Sequence, residues 1–317
     1  MRGPHDHAGM RPPTWARAAL AHPCFTGISG QHLGELIAEL ADPWTAQQQA
    51  ALARRRGHGR RRAAGAGPHH RLAFCDRVLA TLVHLRLQLS HQALAVLLGV
   101  DRSTVTRAVH EVRPLLARRG FAVPDQPELR LRTLADVVAY ADACGVQLRI
   151  DATETQVRRP RAHRVGRRAF VSGKRKQNTS KPTVCSDGAG RTLWTGAVRP
   201  GRMHDQTAVK TEGIGDLLTQ HPAVKLRVDE GYRGLANVFP EQVCAPPRKP
   251  PKHAPAEVVD AYRQARTQQS SQRICVEHAI AEHKQWRSLQ RYLGRREYFG
   301  ETYLAVAGLV SDRAARR

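Results

Sequence analysis

The sequence predicts an α/β chain in two parts: an all-α N-terminal domain, then a mixed-sheet domain flanked by helices. Three observations carry that expectation. Residues 72–116 repeat apolar side chains at helical spacing, interrupted by short capped turns. From residue 146 onward, short apolar segments rich in β-branched residues alternate with glycine turns. Finally, 51 Lys and Arg against 27 Asp and Glu leave a formal charge of +24 on 317 residues, which calls for a polyanionic partner, nucleic acid before any other.

The same composition excludes other classes. Six cysteines are scattered with no Cys-x-x-Cys pair, so they suit neither a zinc cluster nor a secreted disulfide framework and read as reduced thiols. Pro12, Pro13 and Arg17 interrupt any apolar signal core, and no run approaches a membrane span. A soluble protein of the cytoplasm, associated with the nucleoid and not with a membrane, is expected.

Taken in order, residues 1–71 read as a flexible basic region holding one short helix. The first 22 or so residues, rich in Gly, Pro, His and Arg, are expected to be disordered. Ser29 can cap a helix carrying Leu33, Leu36, Ile37 and Leu40, which Pro43 is expected to end. Arg54–Arg56 and Arg60–Arg62 then suit either a solvated linker or an arm along phosphates.

Residues 72–120 carry a helix-turn-helix. Leu72 to Leu85 supply one apolar face, Ser90 caps a second helix, and Gly99-Val100-Asp101 turns into a third beginning at Arg102. With Val105, Val109 and Val112 inward, Arg102, Ser103, Thr104, Thr106 and Arg107 remain for phosphates and base edges. An ordinary three-helix bundle with a polar face would show the same periodicity; the charge favours DNA.

Residues 121–145 read as a Pro124- and Pro127-marked linker with a helix from Thr133 to Cys144, closed by Gly145. The second domain is placed at 146–317. Val146 to Asp151 is its opening strand, and residues 158–187 alternate basic loops with strand-like pieces at Ala169–Val171 and Thr183–Cys185. Thr192 to Val198 completes three antiparallel strands. A helix from His204 to Thr219, strands at Leu226–Asp229 and Gln242–Cys244, a helical region from Ala256 to Leu293 broken near Ser270-Ser271, and a last helix from Phe299 to Arg313 follow. This order resembles the ribonuclease H topology.

The chemistry lies in three acids. Asp151 and Asp229 end apolar strands, where an unneutralised carboxylate is costly. Glu277 sits on a helix whose Ile274, Val276 and Ile280 indicate packing, with Arg273 one turn before it and Lys284 two turns after. Two carboxylates about 4 Å apart repel by roughly 4 kcal/mol at an effective dielectric of 20, and a divalent metal removes that conflict. Taken singly, each Asp could be a turn former or an ion-pair partner.

These residues resemble the acid triad of DDE-superfamily insertion-sequence transposases of the insertion-sequence family five type. Asp151-Ala152-Thr153-Glu154 with Arg159-Pro160 resembles the first-acid motif. Ser172-Gly173-Lys174-Arg175-Lys176, with Thr179 and Lys181, resembles the basic strand-turn motif. Pro200 to Asp205, Asp229 to Gly234, and the Arg273, Glu277, Lys284 series match three further blocks. Ser270 stands where related transposases often carry Tyr.

The resemblance, over about residues 72–310, implies cleavage at the ends of an insertion sequence and joining of the freed 3′-hydroxyl to target DNA. It implies Asp151, Asp229 and Glu277 as catalytic ligands of two Mg²⁺ ions, Mn²⁺ being the alternative. Lys174, Lys176, Arg273 and Lys284 would grip phosphates, and a homodimer would hold the terminal repeats. Asp205 could assist the metal or cap its helix, the cap being preferred; Trp286 could stack on a base or belong to the core. Two further readings are a domesticated or decayed DNA-binding protein without catalysis and a metal nuclease without strand transfer.

Overall fold

The computed structural model describes residues 14–59, 70–159 and 166–316. Arg60–Arg62, Pro160 and Arg161 of the basic runs lie outside these residues. The chain divides into two compact units. One runs to Ala117 and takes in Trp286–Ser288; the other comprises Arg118–Gln285 and Leu289–Arg317.

The first unit is helical: α1 (Thr14–Ala21), α2 (Pro23–Thr26), α3 (Gly30–Arg56), α4 (Phe74–Leu87), α5 (His91–Leu98) and α6 (Arg102–Arg118). Ser90 Oγ accepts from the Ala93 amide at 3.1 Å to start α5, and Gly99, at φ 61°, closes it. Leu79, Val83, Leu94, Leu98, Val105 and Val109 share one buried cluster, as the helical spacing requires.

Two expectations fail in this unit. Part of the segment expected to be disordered forms α1, whose Ala16 and Leu20 are buried. Ser29 does cap α3, accepting from the His32 amide, but Pro43 does not end it. Immediately after the proline, Trp44 stacks at 5.0 Å on Phe74 and donates from Nε1 to Glu111, so tertiary contacts offset the lost helix bond. Arg54–Arg56 therefore form the last turn of a 27-residue helix.

The second unit begins with a hairpin, β1 (Phe121–Val123) and β2 (Gln126–Leu131), where a linker was expected. Pro124 and Asp125 make its turn, with Asp125 at φ 61°. Helix α7 (Leu134–Cys144) is capped by Thr133 and closed by Gly145, as expected. Then come β3 (Leu148–Ala152), β4 (Thr155–Val157), β5 (Thr179–Lys181), β6 (Thr183–Ser186), β7 (Thr192–Thr195) and β8 (Arg199–Pro200). The chain continues with α8 (Asp205–Glu212), α9 (Ile214–Gln220), β9 (Leu226–Arg227), α10 (Arg233–Val238), β10 (Val243–Cys244), α11 (Ala256–Lys284), α12 (Arg287–Gln290), β11 (Arg291–Tyr292) and α13 (Phe299–Ala315).

Five strands form the central sheet in the order β10-β9-β3-β6-β7. β6 runs antiparallel to β3 and β7, while β9 and β10 run parallel to β3. Three antiparallel strands followed by two parallel ones on the far side of the first is the ribonuclease H-like arrangement that the sequence order suggests. A second sheet is ordered β11-β4-β5-β8.

Local details depart from expectation. Arg167–Phe170 is a 3₁₀ turn, leaving only Val171 bridged to Asn178 where a strand was expected. The helix expected from His204 to Thr219 is split by Gly213, at φ 70°. α11 runs without a break through Ser270-Ser271, whose hydroxyls do not disrupt a helix already anchored on the sheet.

Candidate functional site

The site forms where β3 and β9 end. Leu148 and Ile150 are buried, and the parallel register pairs Leu148 with Leu226 and Arg149 with Arg227. Extending that register by two residues sets Asp151 beside Asp229, just past the end of β9. Alternation puts Arg149 and Asp151 on the same sheet face, and both meet α11. Arg149 Nε donates to the Gln272 carbonyl at 2.8 Å, and Arg273 donates to Asp151 Oδ2 at 3.1 Å. Gln269 Nε2 donates to the Val228 carbonyl at 3.1 Å, so α11 is tied across both strands.

The electrostatics are those of an under-neutralised acid cluster. Asp151, its side chain 19% exposed, is pushed up to about 6 by burial and then by the Asp229 charge. Arg273 and the Ala152 amide oppose that rise, and Glu277 adds to it. Asp229 is also raised, by burial first and by Asp205 among its neighbours, against Arg273. Its Oδ1 is buried without a hydrogen-bond partner. Glu277 is exposed one turn beyond Arg273 on α11.

A divalent cation suits this donor set in part. Among the described residues, no three His, Cys, Asp or Glu side chains converge closely enough to hold an ion. Asp151 and Asp229 are nevertheless assembled, and the orphaned Oδ1 of Asp229 is an oxygen lacking a cation or donor. Mg²⁺ needs no protein cage, since it commonly binds through one or two carboxylates plus substrate phosphates.

The basic residues fall into two groups. Lys174 and Lys176 are exposed on the turn between Val171 and Asn178, with Lys176 at φ 56°. Arg273 and Lys284 are half-buried, Lys284 Nζ donating to the Glu154 carbonyl at 2.7 Å. Burial first, and Arg175 second, hold the Lys284 ammonium below its usual range.

Asp205 is not the cap of α8. His204 occupies that position, its Nδ1 accepting from the Gln206 amide, and Asp205 is the first helical residue. The Asp205 carboxylate accepts from Lys181 Nζ at 2.6 Å and lies on the Asp229 side of the cluster. A Cβ on Gly231 would stand 2.6 Å from Asp205 Oδ2 and 3.1 Å from Asp229 Oδ1, so a larger residue there would push on the carboxylates of both acids. Sequence reasoning missed Lys181 as the partner of Asp205; the only signal was their membership in two matching blocks.

On α6, Arg102, Ser103 and Arg107 are exposed. Thr104 is buried and Thr106 half-buried, its hydroxyl 2.9 Å from His91 Nδ1. At about 100° per residue, the inward stripe of Val105, Ala108 and Val109 draws in Thr104 on its flank. Trp286 is 1% exposed, so it is a core residue and not a free stacking platform.

A helix-turn-helix unit and a ribonuclease H-like unit with strand-end carboxylates define a class of enzyme that acts on DNA. A family model described as DDE superfamily endonuclease matches residues 150–310, and one described as the helix-turn-helix of DDE superfamily endonuclease matches residues 70–122. The chain belongs to this DDE endonuclease family, and both strand-end acids and Glu277 fall inside the matched region. No curated protein matches the chain. No helix among the described residues is long and apolar enough to cross a membrane.

Proposed function

We propose that this chain is a transposase of the insertion-sequence family five type, cutting the ends of its element and joining the 3′-hydroxyl to target DNA. The observation that carries the reading is the pairing of Asp151 with the partly orphaned Asp229 at the ends of adjacent parallel strands. Asp151 and Asp229, completed by Glu277 and phosphate oxygens, would hold Mg²⁺ or Mn²⁺, two ions in the full site. Bound there, the cations supply the charge that stabilises the attacking and leaving oxygens of an in-line displacement at phosphorus.

The chain's own residues do the rest. Arg273 keeps Asp151 oriented on the sheet face and places a second cation beside the acids. Lys174 and Lys176, exposed on their turn, suit the phosphates flanking the scissile bond. Lys284 holds the β3–β4 corner through the Glu154 carbonyl, which leaves it a shorter reach to DNA than those two lysines have. Arg102, Ser103 and Arg107 would read the terminal repeats from the start of α6. Joining two ends in one event favours a homodimer on DNA.

The test incubates the protein with Mg²⁺ and DNA bearing the element's terminal repeats. Wild type should give 3′-end cleavage and joined products; Asp151→Asn should abolish both while binding the repeats nearly as tightly. Cleavage by Asp151→Asn at the wild-type rate would refute the site. Cleavage without joined products would leave a metal nuclease in place of a transposase.

A further inference from the structure

The first two turns of α6 expose Arg102, Ser103 and Arg107. Half-buried Thr106 lies among them, one turn after Arg102 and Ser103 and next to Arg107. Its hydroxyl is taken up inside the protein. Oγ1 donates to the Arg102 carbonyl at 3.0 Å and stands 2.9 Å from Nδ1 of His91, the first residue of α5. A hydroxyl has one proton, so His91 Nδ1 carries the hydrogen of the second bond and donates it.

The imidazole is itself held. The ring of His84, on α4, packs against it with centroids 4.6 Å apart. His84 Nδ1 is 2.9 Å from the Leu89 carbonyl, and because a carbonyl only accepts, His84 donates there. Burial, and then the neighbouring His84 and His110, push His91 down to about 4, so its ring is neutral at neutral pH. A run of contacts from α4 through α5 therefore ends on one threonine of α6. With its proton on Arg102 and one lone pair on His91, the Thr106 oxygen is committed inward. What Thr106 leaves to the exposed patch is its Cγ2 methyl, an apolar spot among two guanidiniums and a serine hydroxyl. The major groove offers one apolar group to match it, the 5-methyl of thymine.

We propose that Thr106 reads a thymine of the terminal repeat through its methyl group, and that His91 is the positioning residue that holds it in the reading rotamer. The role rests on α6 as the helix that meets base edges. His91 acts through Thr106 and not on DNA.

The experiment replaces each thymine of the terminal repeat in turn with deoxyuridine, which lacks only the 5-methyl, and measures binding of the full chain by fluorescence anisotropy. Each variant is first checked for wild-type helicity by circular dichroism. Wild type should bind one of the substituted repeats roughly fourfold more weakly, the worth of one buried methyl group. Thr106→Ser keeps the hydroxyl and loses the methyl, so it should bind the thymine and uracil repeats equally. His91→Gln should also lose the discrimination, while His91→Asn should keep it, because the asparagine amide nitrogen falls near the place of Nδ1. A merely structural histidine would change affinity for both DNAs alike and leave their ratio intact. Discrimination retained in Thr106→Ser, or no thymine at which wild type discriminates, would overturn the methyl contact. Discrimination retained in His91→Gln would overturn the positioning role. Wild-type binding of the repeats by Arg102→Ala with Arg107→Ala would instead overturn the reading of α6 beneath both.

Discussion

The second unit holds two buried acid–arginine sets that serve opposite ends. Asp312 on α13, its side chain 1% exposed, accepts from Arg119 at Oδ2, at 2.5 Å, and from Arg130 at Oδ1. Two cations meet one acid, and both carboxylate oxygens are bonded. At the ends of β3 and β9 the ratio is reversed. Asp151 and Asp229 share Arg273, Asp205 has Lys181 to itself, and Asp229 Oδ1 has no partner. A carboxylate that only holds the fold together is neutralised within the chain, because an unmatched buried charge is expensive. One left short of positive charge is arranged for a ligand that arrives later.

This contrast predicts opposite outcomes for removing the two acids. Asp312→Ala strands two arginines and should lower unfolding free energy by about 3–5 kcal/mol, read from the denaturant midpoint. A loss no larger than that of an ordinary surface substitution would put Asp312 in the same class as the site acids.

Asp151→Asn should move stability the other way at neutral pH in metal-free buffer. Folding raises the Asp151 carboxyl from 3.8 to about 6, so the folded chain binds that proton more tightly than the unfolded chain does. The stabilisation is complete below about pH 4 and gone once pH has risen through 6. At pH 8 the neutral asparagine should therefore be more stable than wild type by roughly 2–3 kcal/mol, with the gap closing toward pH 4. Equal stability across that range would mean the acids are not strained.

The smallest effect on stability is expected on α6. Arg102→Ala with Arg107→Ala removes two exposed side chains and should change unfolding free energy by less than about 0.5 kcal/mol. Binding to terminal repeats should nevertheless weaken, with the salt-dependence slope shallower by about 2. An unchanged slope would remove α6 from the DNA interface.

Much of the architecture was legible in the chain. Ser90, Gly99, Thr133 and Gly145 cap helices where their residue types say they should, since capping is settled within one turn. Short-range rules failed where distant contacts overrode them. Pro43 is carried inside α3 by Trp44 on Phe74, and Pro124 turns a hairpin instead of marking a linker. Within the site, Asp151 and Asp229 were visible as acids ending apolar strands. The exclusion of Thr104 from the exposed face of α6 was not visible, because neighbouring positions on one helix differ by burial and not by period.

The sequence by itself determined that the chain is basic, that helices precede a mixed sheet, and which acids end its strands. Those properties follow from composition and from periods of a few residues. Only the tertiary structure decided which acids stand together, which cation each receives, and that Asp205 belongs with Asp229 and does not cap α8. Charge balance at a point in space depends on strand order, register and the path of α11, and no local spacing encodes them.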